Sequence, residues 1–353
     1  MKKKEVGNFF IQSLNGMAYG LFATLIISTI IATIGGFFKD VAPIYNTLID
    51  VSNCLKCITG AGIGIGVCLM LKLDALKTIV VAGVGELASY FSLNINKDGV
   101  VVSNGFKIGD PLTIYIVVIL TLILIKLVFR KKTPVDILIV PLFGVIVGLL
   151  LTLLLRYPSI YVTYGLQFVV NNATTYQPFL MGIIISVLMG MALTAPISSA
   201  AIAAIVFTGE GAGLEIASGA ALIGCCCQMV GLAIQSIYDN KFGMVLAIFF
   251  GTSMLQFKNI LKKPLTWLPT IIASAILGPI ATCLLKVKCM GASAGMGTAG
   301  LVGQIGTISS MGNQFSTYLI IILFEIIAPA LLVFLIDLLF RKLKLIKKGE
   351  LTV

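Results

Sequence analysis

Carboxylates stand in this chain where they are expensive. Glu86, Glu215 and Glu325 lie inside apolar stretches, and Glu210 sits at the mouth of one. Ionisable groups in such places face a cavity or a partner group. Side-chain amides accompany them: Gln228, Gln235, Gln304, Asn313 and Gln314. An amide donates and accepts while a carboxylate accepts, a mixture that suits the hydroxyls of a polyol or sugar. The candidate solute-binding set is Glu86, Glu210, Glu215, Gln228, Gln304 and Asn313. Glu325 has a plainer reading, as a hydrogen-bond partner for another helix. Gln228 and Gln235 are seven residues apart, hence on one helix face, and also suit the joining of helices.

Other chemistries find little support. Cys225, Cys226 and Cys227 invite a metal, but successive helical residues point about 100° apart and cannot easily converge on one ion. The chain has eight cysteines and no histidine, and its single CLKC, Cys54 to Cys57, has no second pair. The cysteines read as small packing residues, and neither metal nor cofactor is expected. The stretch GEGAGLEIASGAALIGCCCQ at 209–228 has glycines but no GxxxxGK[ST] and no surrounding βαβ pattern, which argues against a nucleotide. There is no GxSxG and no HExxH, so no self-contained catalytic site is expected.

The elements that must position these groups are membrane elements. The 353 residues are 58% hydrophobic and 11% charged, against about 25% charged in soluble proteins. Apolar segments at 14–37, 57–72, 75–93, 112–129, 135–155, 179–207, 212–237, 240–257, 265–285 and 315–340 predict an all-α polytopic membrane protein with about ten crossings. The net charge of +11 concentrates in clusters at segment ends, Lys2–Lys4, Arg130–Lys132, Lys258–Lys263 and Arg341–Lys348. Even numbers of segments separate these clusters, so all can face the cytoplasm with both termini inside. That placement argues for a bilayer partner and against nucleic acid. The stretch 156–179, with four tyrosines, is expected outside the spans.

Glycine-rich runs at 60–67, 209–224 and 291–306 predict either close helix packing or broken, re-entrant helices. The 291–313 region is the best candidate for a short hairpin. Pro196 in TAPISSAAIA and Pro329 near Glu325 predict kinks. The whole of 1–353 reads as one membrane domain, with sections 14–129, 135–257 and 265–340.

The patterns FFIQSLNGMAYGLFATLIISTIIATIG and GAGIGIGVCLMLKLDALKTIVVAGVGE, with TAPISSAAIA and GEGAGLEIASG, resemble the membrane IIC proteins of the phosphoenolpyruvate-dependent sugar phosphotransferase system. More closely, they resemble the perfringolysin regulator-like branch. The resemblance covers nearly the whole chain. It implies an all-helical, homodimeric permease of the bacterial cell membrane that carries a sugar inward, phosphorylated by separate IIA and IIB proteins. Better-studied branches use a glutamate, and often a histidine, near the sugar. This chain has no histidine for that role, and Glu210 or Glu215 is the candidate glutamate. That departure keeps two alternatives open: a membrane sensor or regulator derived from a transporter, whose basic tail RKLKLIKKGELTV contacts a cytoplasmic partner or anionic lipid, and an ion- or proton-coupled carrier of another small solute.

Overall fold

The computed structural model describes residues 3–95, 101–103, 109–129, 133–174, 176–207, 212–289 and 291–353. The helices are α1 (Lys3–Leu21), α2 (Ile27–Gly36), α3 (Ala42–Cys57), α4 (Thr59–Met70), α5 (Ala75–Tyr90), α6 (Pro111–Val128) and α7 (Asp136–Ala173). They continue as α8 (Pro178–Thr194), α9 (Ser199–Val206), α10 (Ala212–Gln235), α11 (Phe242–Phe250) and α12 (Phe257–Lys262). The last are α13 (Leu268–Pro279), α14 (Val302–Met311), α15 (Phe315–Leu319) and α16 (Ala328–Lys342). A small antiparallel ribbon pairs Leu93–Ile95 (β1) with Val101–Ser103 (β2). Turns of π-helix at Phe22–Ile26, Ile280–Leu285 and Ile320–Ile327 carry α1 into α2, extend α13 and carry α15 into α16.

This is an all-α, multi-pass membrane protein, but the expectation of about ten crossings is not met. Six helices among the described residues are long and apolar enough to span: Asn8–Gly36, Pro111–Val128, Asp136–Val170, Gly213–Tyr238, Pro264–Leu285 and Phe315–Lys342. A seventh arises if Ala42–Cys57 and Thr59–Met70, bent by 52°, count as one. The four remaining expected segments are apolar without being long straight helices. The 57–72 segment gives only the 12 residues of α4, and the 75–93 segment the 16 of α5. The 179–207 segment divides around Pro196, which has no N–H to continue a helix. The 240–257 segment stops after the nine residues of α11, at Gly251 and Thr252. The even parity that put both termini in the cytoplasm depends on the count of ten and falls with it. The 156–179 stretch, expected outside the spans, is helical through Ala173 as part of α7.

The chain forms two compact units, residues 1–162 and 163–353, with the division inside α7. In the first, α4 packs between α1 and α5. Its GAGIGIGV run is continuous helix, and the glycines serve both flanks. Gly62 and Gly66 meet α1 at Gly20 and Gly16, while Gly60 meets α5 at Gly85. A Cβ added at Gly66 or Gly85 would lie 3.0 Å from the facing carbonyl carbon, at Gly16 and Gly60 respectively, so these backbones approach only because side chains are absent. Ile63, between the glycines, and Val67, just after them, are fully buried.

In the second unit α10 is the axis. Its apolar window is 94% buried, against 22% for those of Asp136–Val170 and Phe315–Lys342. A helix buried on all sides needs small residues to admit its neighbours, and α10 supplies them. Gly224 lies against the backbone of Ser186 on α8, and Gly231 against Thr270 and Val333. By contrast, Leu142, Leu150 and Leu154 of α7 and Leu331 and Leu335 of α16 are exposed, as lipid-facing side chains are.

Candidate functional site

Polar side chains collect on two sides of α10. On the first, the Gln228 carbonyl oxygen accepts from the Trp267 indole Nε1 at 2.8 Å. The hydroxyls of Thr270, at 3.0 Å, and Thr194, at 3.2 Å, also face this oxygen. Thr194 ends α8 and its hydroxyl meets that of Ser253 at 2.9 Å. Gln235, two helical turns on, reaches the same 264–270 segment. Its Nε2 donates to Thr266 O at 3.4 Å and to Asp337 Oδ1 at 3.1 Å. Arg341 closes this group, donating Nε to Asp337 at 2.6 Å and Nη2 to Gln235 O at 3.0 Å. A buried carboxylate so paired avoids the cost of an isolated charge.

On the other side stands Glu325, fully buried in the π-helical turn that leads into α16. Single π turns recur at functional positions because they redirect a side chain without ending the helix. Gln304 Nε2 donates to Glu325 Oε2 at 3.0 Å, and Thr307 Oγ1 to Oε1 at 2.7 Å. Both donors lie on α14. Gln304 Nε2 also reaches Cys226 Sγ on α10 at 3.6 Å. Glu325 thus joins another helix, as its plainer reading expects, and also becomes the centre of a buried polar group.

Two interrupted segments meet, one that follows Thr194 of the first cluster and one that leads into Gln304 of the second. The chain leaves α8 at Ala195 in extended conformation (ψ 155°) and restarts as α9 at Ser199. The other segment is the expected 291–313 hairpin region. It forms single turns at Gly291–Gly295 and Ala299–Leu301 before α14 begins. Positive φ at Gly297 (55°), Gly300 (54°) and Leu301 (58°) makes it irregular. The Ser199 hydroxyl donates to Gly295 O at 2.7 Å, tying one break to the other. A Cβ on Gly295 would lie 2.6 Å from the Ser199 carbonyl carbon, and Gly297 rests on the Cys225 backbone. Irregular backbone inside a membrane protein persists only where protein or a watery path satisfies it.

The six candidate residues do not form one constellation. Gln228 and Gln304 are buried in the second unit, on different sides of α10. Each uses half of its amide on protein; Gln228 Nε2, a donor, and Gln304 Oε1, an acceptor, have no hydrogen-bond partner among the described residues. Glu215 is exposed at the start of α10 and pairs with Lys288 at 2.7 Å. Asn313 is exposed and accepts from the Tyr318 hydroxyl at 2.6 Å. Glu86 belongs to the first unit, where it accepts from Ala61 N at 3.1 Å. Glu210 lies outside the described residues. The candidate set omits Thr194, Trp267, Thr270 and Thr307; Thr194 stands beside the Pro196 break, where a hydroxyl can satisfy freed carbonyls or line a passage, whereas spacing gives no signal for the other three, because tertiary packing alone brings them to the amides.

The three consecutive cysteines diverge. Cys225 and Cys226 pack with α8 and α9 residues such as Met189 and Ile202, and Cys227 with Ala273, Leu277 and Val333. No group of three or more potential metal ligands occurs among the described residues.

A family model described as "Phosphotransferase system, EIIC" matches residues 11–353. No curated protein matches the chain.

Proposed function

We propose, for a chain that thereby belongs to the phosphotransferase system EIIC family, that it binds a sugar or related polar solute beside α10 and carries it across the bacterial cell membrane. The observation that carries this reading is the meeting of two helix breaks at Ser199 and Gly295, flanked by buried amides that keep an open donor at Gln228 and an open acceptor at Gln304. Broken helices bind solutes through backbone groups and helix ends, and side-chain amides add the two-way hydrogen bonding that hydroxyls need. Glu325 joins Gln228 and Gln304 in this proposal, since it orients the Gln304 amide. Glu86, Glu215 and Asn313, engaged elsewhere, have no direct contact with solute in it.

The chain's resemblance to the perfringolysin regulator-like branch, the homodimer and the phosphorylation by separate IIA and IIB proteins belong to the same proposal. Uptake by vesicles containing purified protein tests it. Saturable uptake of at least one member of a broad carbohydrate panel, strongly reduced by Gln304→Ala, is the expected result. No binding and no flux across the panel overturns it.

A further inference from the structure

The basic tail does not hang free. Past α16 the chain turns at Lys344 (φ 59°) and again at Gly349 (φ 89°), and residues 349–353 lie back on the second unit. There, side chains read its backbone. Asp239 accepts from Gly349 N at 2.7 Å and from Leu351 N at 3.0 Å, two amides that alternate along the segment. Asn240 acts as a neighbouring strand would, donating to Leu351 O at 2.7 Å and accepting from Val353 N at 2.8 Å. Gln256 also donates to Leu351 O at 2.8 Å, and Asn259 to Thr352 O at 3.1 Å while bracing Gln256 at 2.7 Å. Lys263 holds the Glu350 carboxylate at 2.6 and 2.8 Å, and the Leu351 side chain is fully buried. Surface tails seldom have every backbone group of a central residue satisfied by side chains from two separate stretches.

We infer that Asp239, Asn240, Gln256, Asn259 and Lys263 form a peptide-recognition cradle for an acidic–aliphatic segment that leaves a turn, filled in cis by Glu350–Val353, and that this tail is a releasable latch on the Gln228 cluster. The cradle clamps both ends of the α11 excursion. Its far side leads directly to the solute-facing groups. Thr266 Oγ1 donates to Lys263 O at 2.8 Å, the rings of Phe257 and Trp267 meet edge-on at 6.4 Å, and Trp267 bonds Gln228. Release of the tail frees the segment that sets the indole against Gln228. The consequence for a solute path rests on the function proposed above; the latch itself does not.

The chain has one tryptophan, so Trp267 emission reports the latch directly. Full-length protein in lipid nanodiscs is exposed briefly to trypsin, and release of residues 349–353 is followed by mass spectrometry alongside emission. When opening is fast, proteolysis tracks the open population, so Asp239→Ala raises the release rate by about tenfold or more. Emission shifts to the red in the same variant. Leu351→Ala behaves likewise but leaves the cradle intact. A synthetic peptide of residues 347–353 at roughly millimolar concentration, comparable to a tethered tail, restores the emission of Leu351→Ala and not that of Asp239→Ala. Equal release rates in wild type and both variants overturn the latch. Faster release with unmoved Trp267 emission, or peptide rescue of neither variant, overturns its link to Gln228. Absence of carbohydrate uptake bears on the proposed function alone and leaves these readouts intact.

Discussion

Replacing Gln228 by leucine removes the acceptor at the centre of the first polar cluster. Three donors face its carbonyl oxygen, but their losses are unequal. The Thr270 hydroxyl has Trp267 O as an alternative acceptor at 2.9 Å, and the Thr194 hydroxyl has Ser253 Oγ at 2.9 Å. Only the Trp267 indole N–H is left without a partner. A part-buried donor so orphaned costs at most about 1–3 kcal/mol. The leucine also removes the unpartnered Nε2, which offsets part of that cost, so the net loss is about 1–2 kcal/mol, within the range of roughly 0.6–2 kcal/mol for polar contacts between membrane helices. At roughly 2–4 °C per kcal/mol, this lowers the unfolding midpoint by roughly 2–8 °C. Emission from Trp267 shifts to the blue, because the indole loses its hydrogen bond without gaining water. Thermal unfolding of purified protein with fluorescence detection measures both. An unchanged midpoint with unchanged emission refutes the reasoning; a loss near the sum of three hydrogen bonds refutes the claim that the two hydroxyls re-pair.

Other substitutions separate packing from polar roles. Glu325→Ala leaves Gln304 Nε2 without its carboxylate partner, while the Thr307 hydroxyl keeps Gly303 O at 3.3 Å, and costs about 1–3 kcal/mol; Glu325→Gln retains an acceptor for Gln304 Nε2 and keeps most of the stability in the same unfolding assay. Gly224→Ala places a Cβ 2.7 Å from Ser186 Cα, so α8 and α10 must separate, and overpacking of this kind costs about 1–3 kcal/mol. The tail has a pH signature. Burial pushes Glu350 up, but the Lys263 ammonium and the Lys347 N–H outweigh it and hold the carboxyl below its ordinary value. Its stabilising contribution is therefore complete above the unfolded pKa of about 4.3 and is lost as pH falls through the lower folded value. Trp267 emission stays flat between about pH 5 and 8 and shifts to the red only below about pH 4.

Hydropathy reports how apolar a segment is, not whether it runs straight. Six long helices coincide with expected segments because the prolines and π turns within them, such as Pro141, Pro158 and the turn at Ile320–Ile327, leave the helix continuous. The four exceptions carry their interruptions visibly, at Pro196, at Gly251 and in the closely spaced polar residues around Asp74, yet composition alone does not say whether such a feature kinks a helix or ends it. Glycine runs were ambiguous for a similar reason. The GAGIGIGV run is continuous helix with paired glycine contacts, whereas GASAGMGTAG is irregular. Both lie against facing backbone, at Gly16 and Gly85 for the first run and at Ser199 and Cys225 for the second; the second differs in its positive φ at Gly297 and Gly300. The seven-residue spacing of Gln228 and Gln235 did place both toward Thr266–Thr270. Their partners, and the joining of Ser199 to Gly295, depend on contacts between residues far apart in the chain, to which periodicity is blind. The tail illustrates the same limit: its charges suggest solvent or lipid, while its docking depends on side chains about 90 to 110 residues upstream.

Equilibrium binding of a carbohydrate panel to purified full-length protein, with Gln304→Ala measured in parallel, tests the central claim most directly. The account predicts saturable binding of at least one sugar, weakened by tenfold or more (about 1.4 kcal/mol) in a variant that still unfolds cooperatively. Absence of saturable binding to wild type, or binding that Gln304→Ala leaves unchanged, contradicts it.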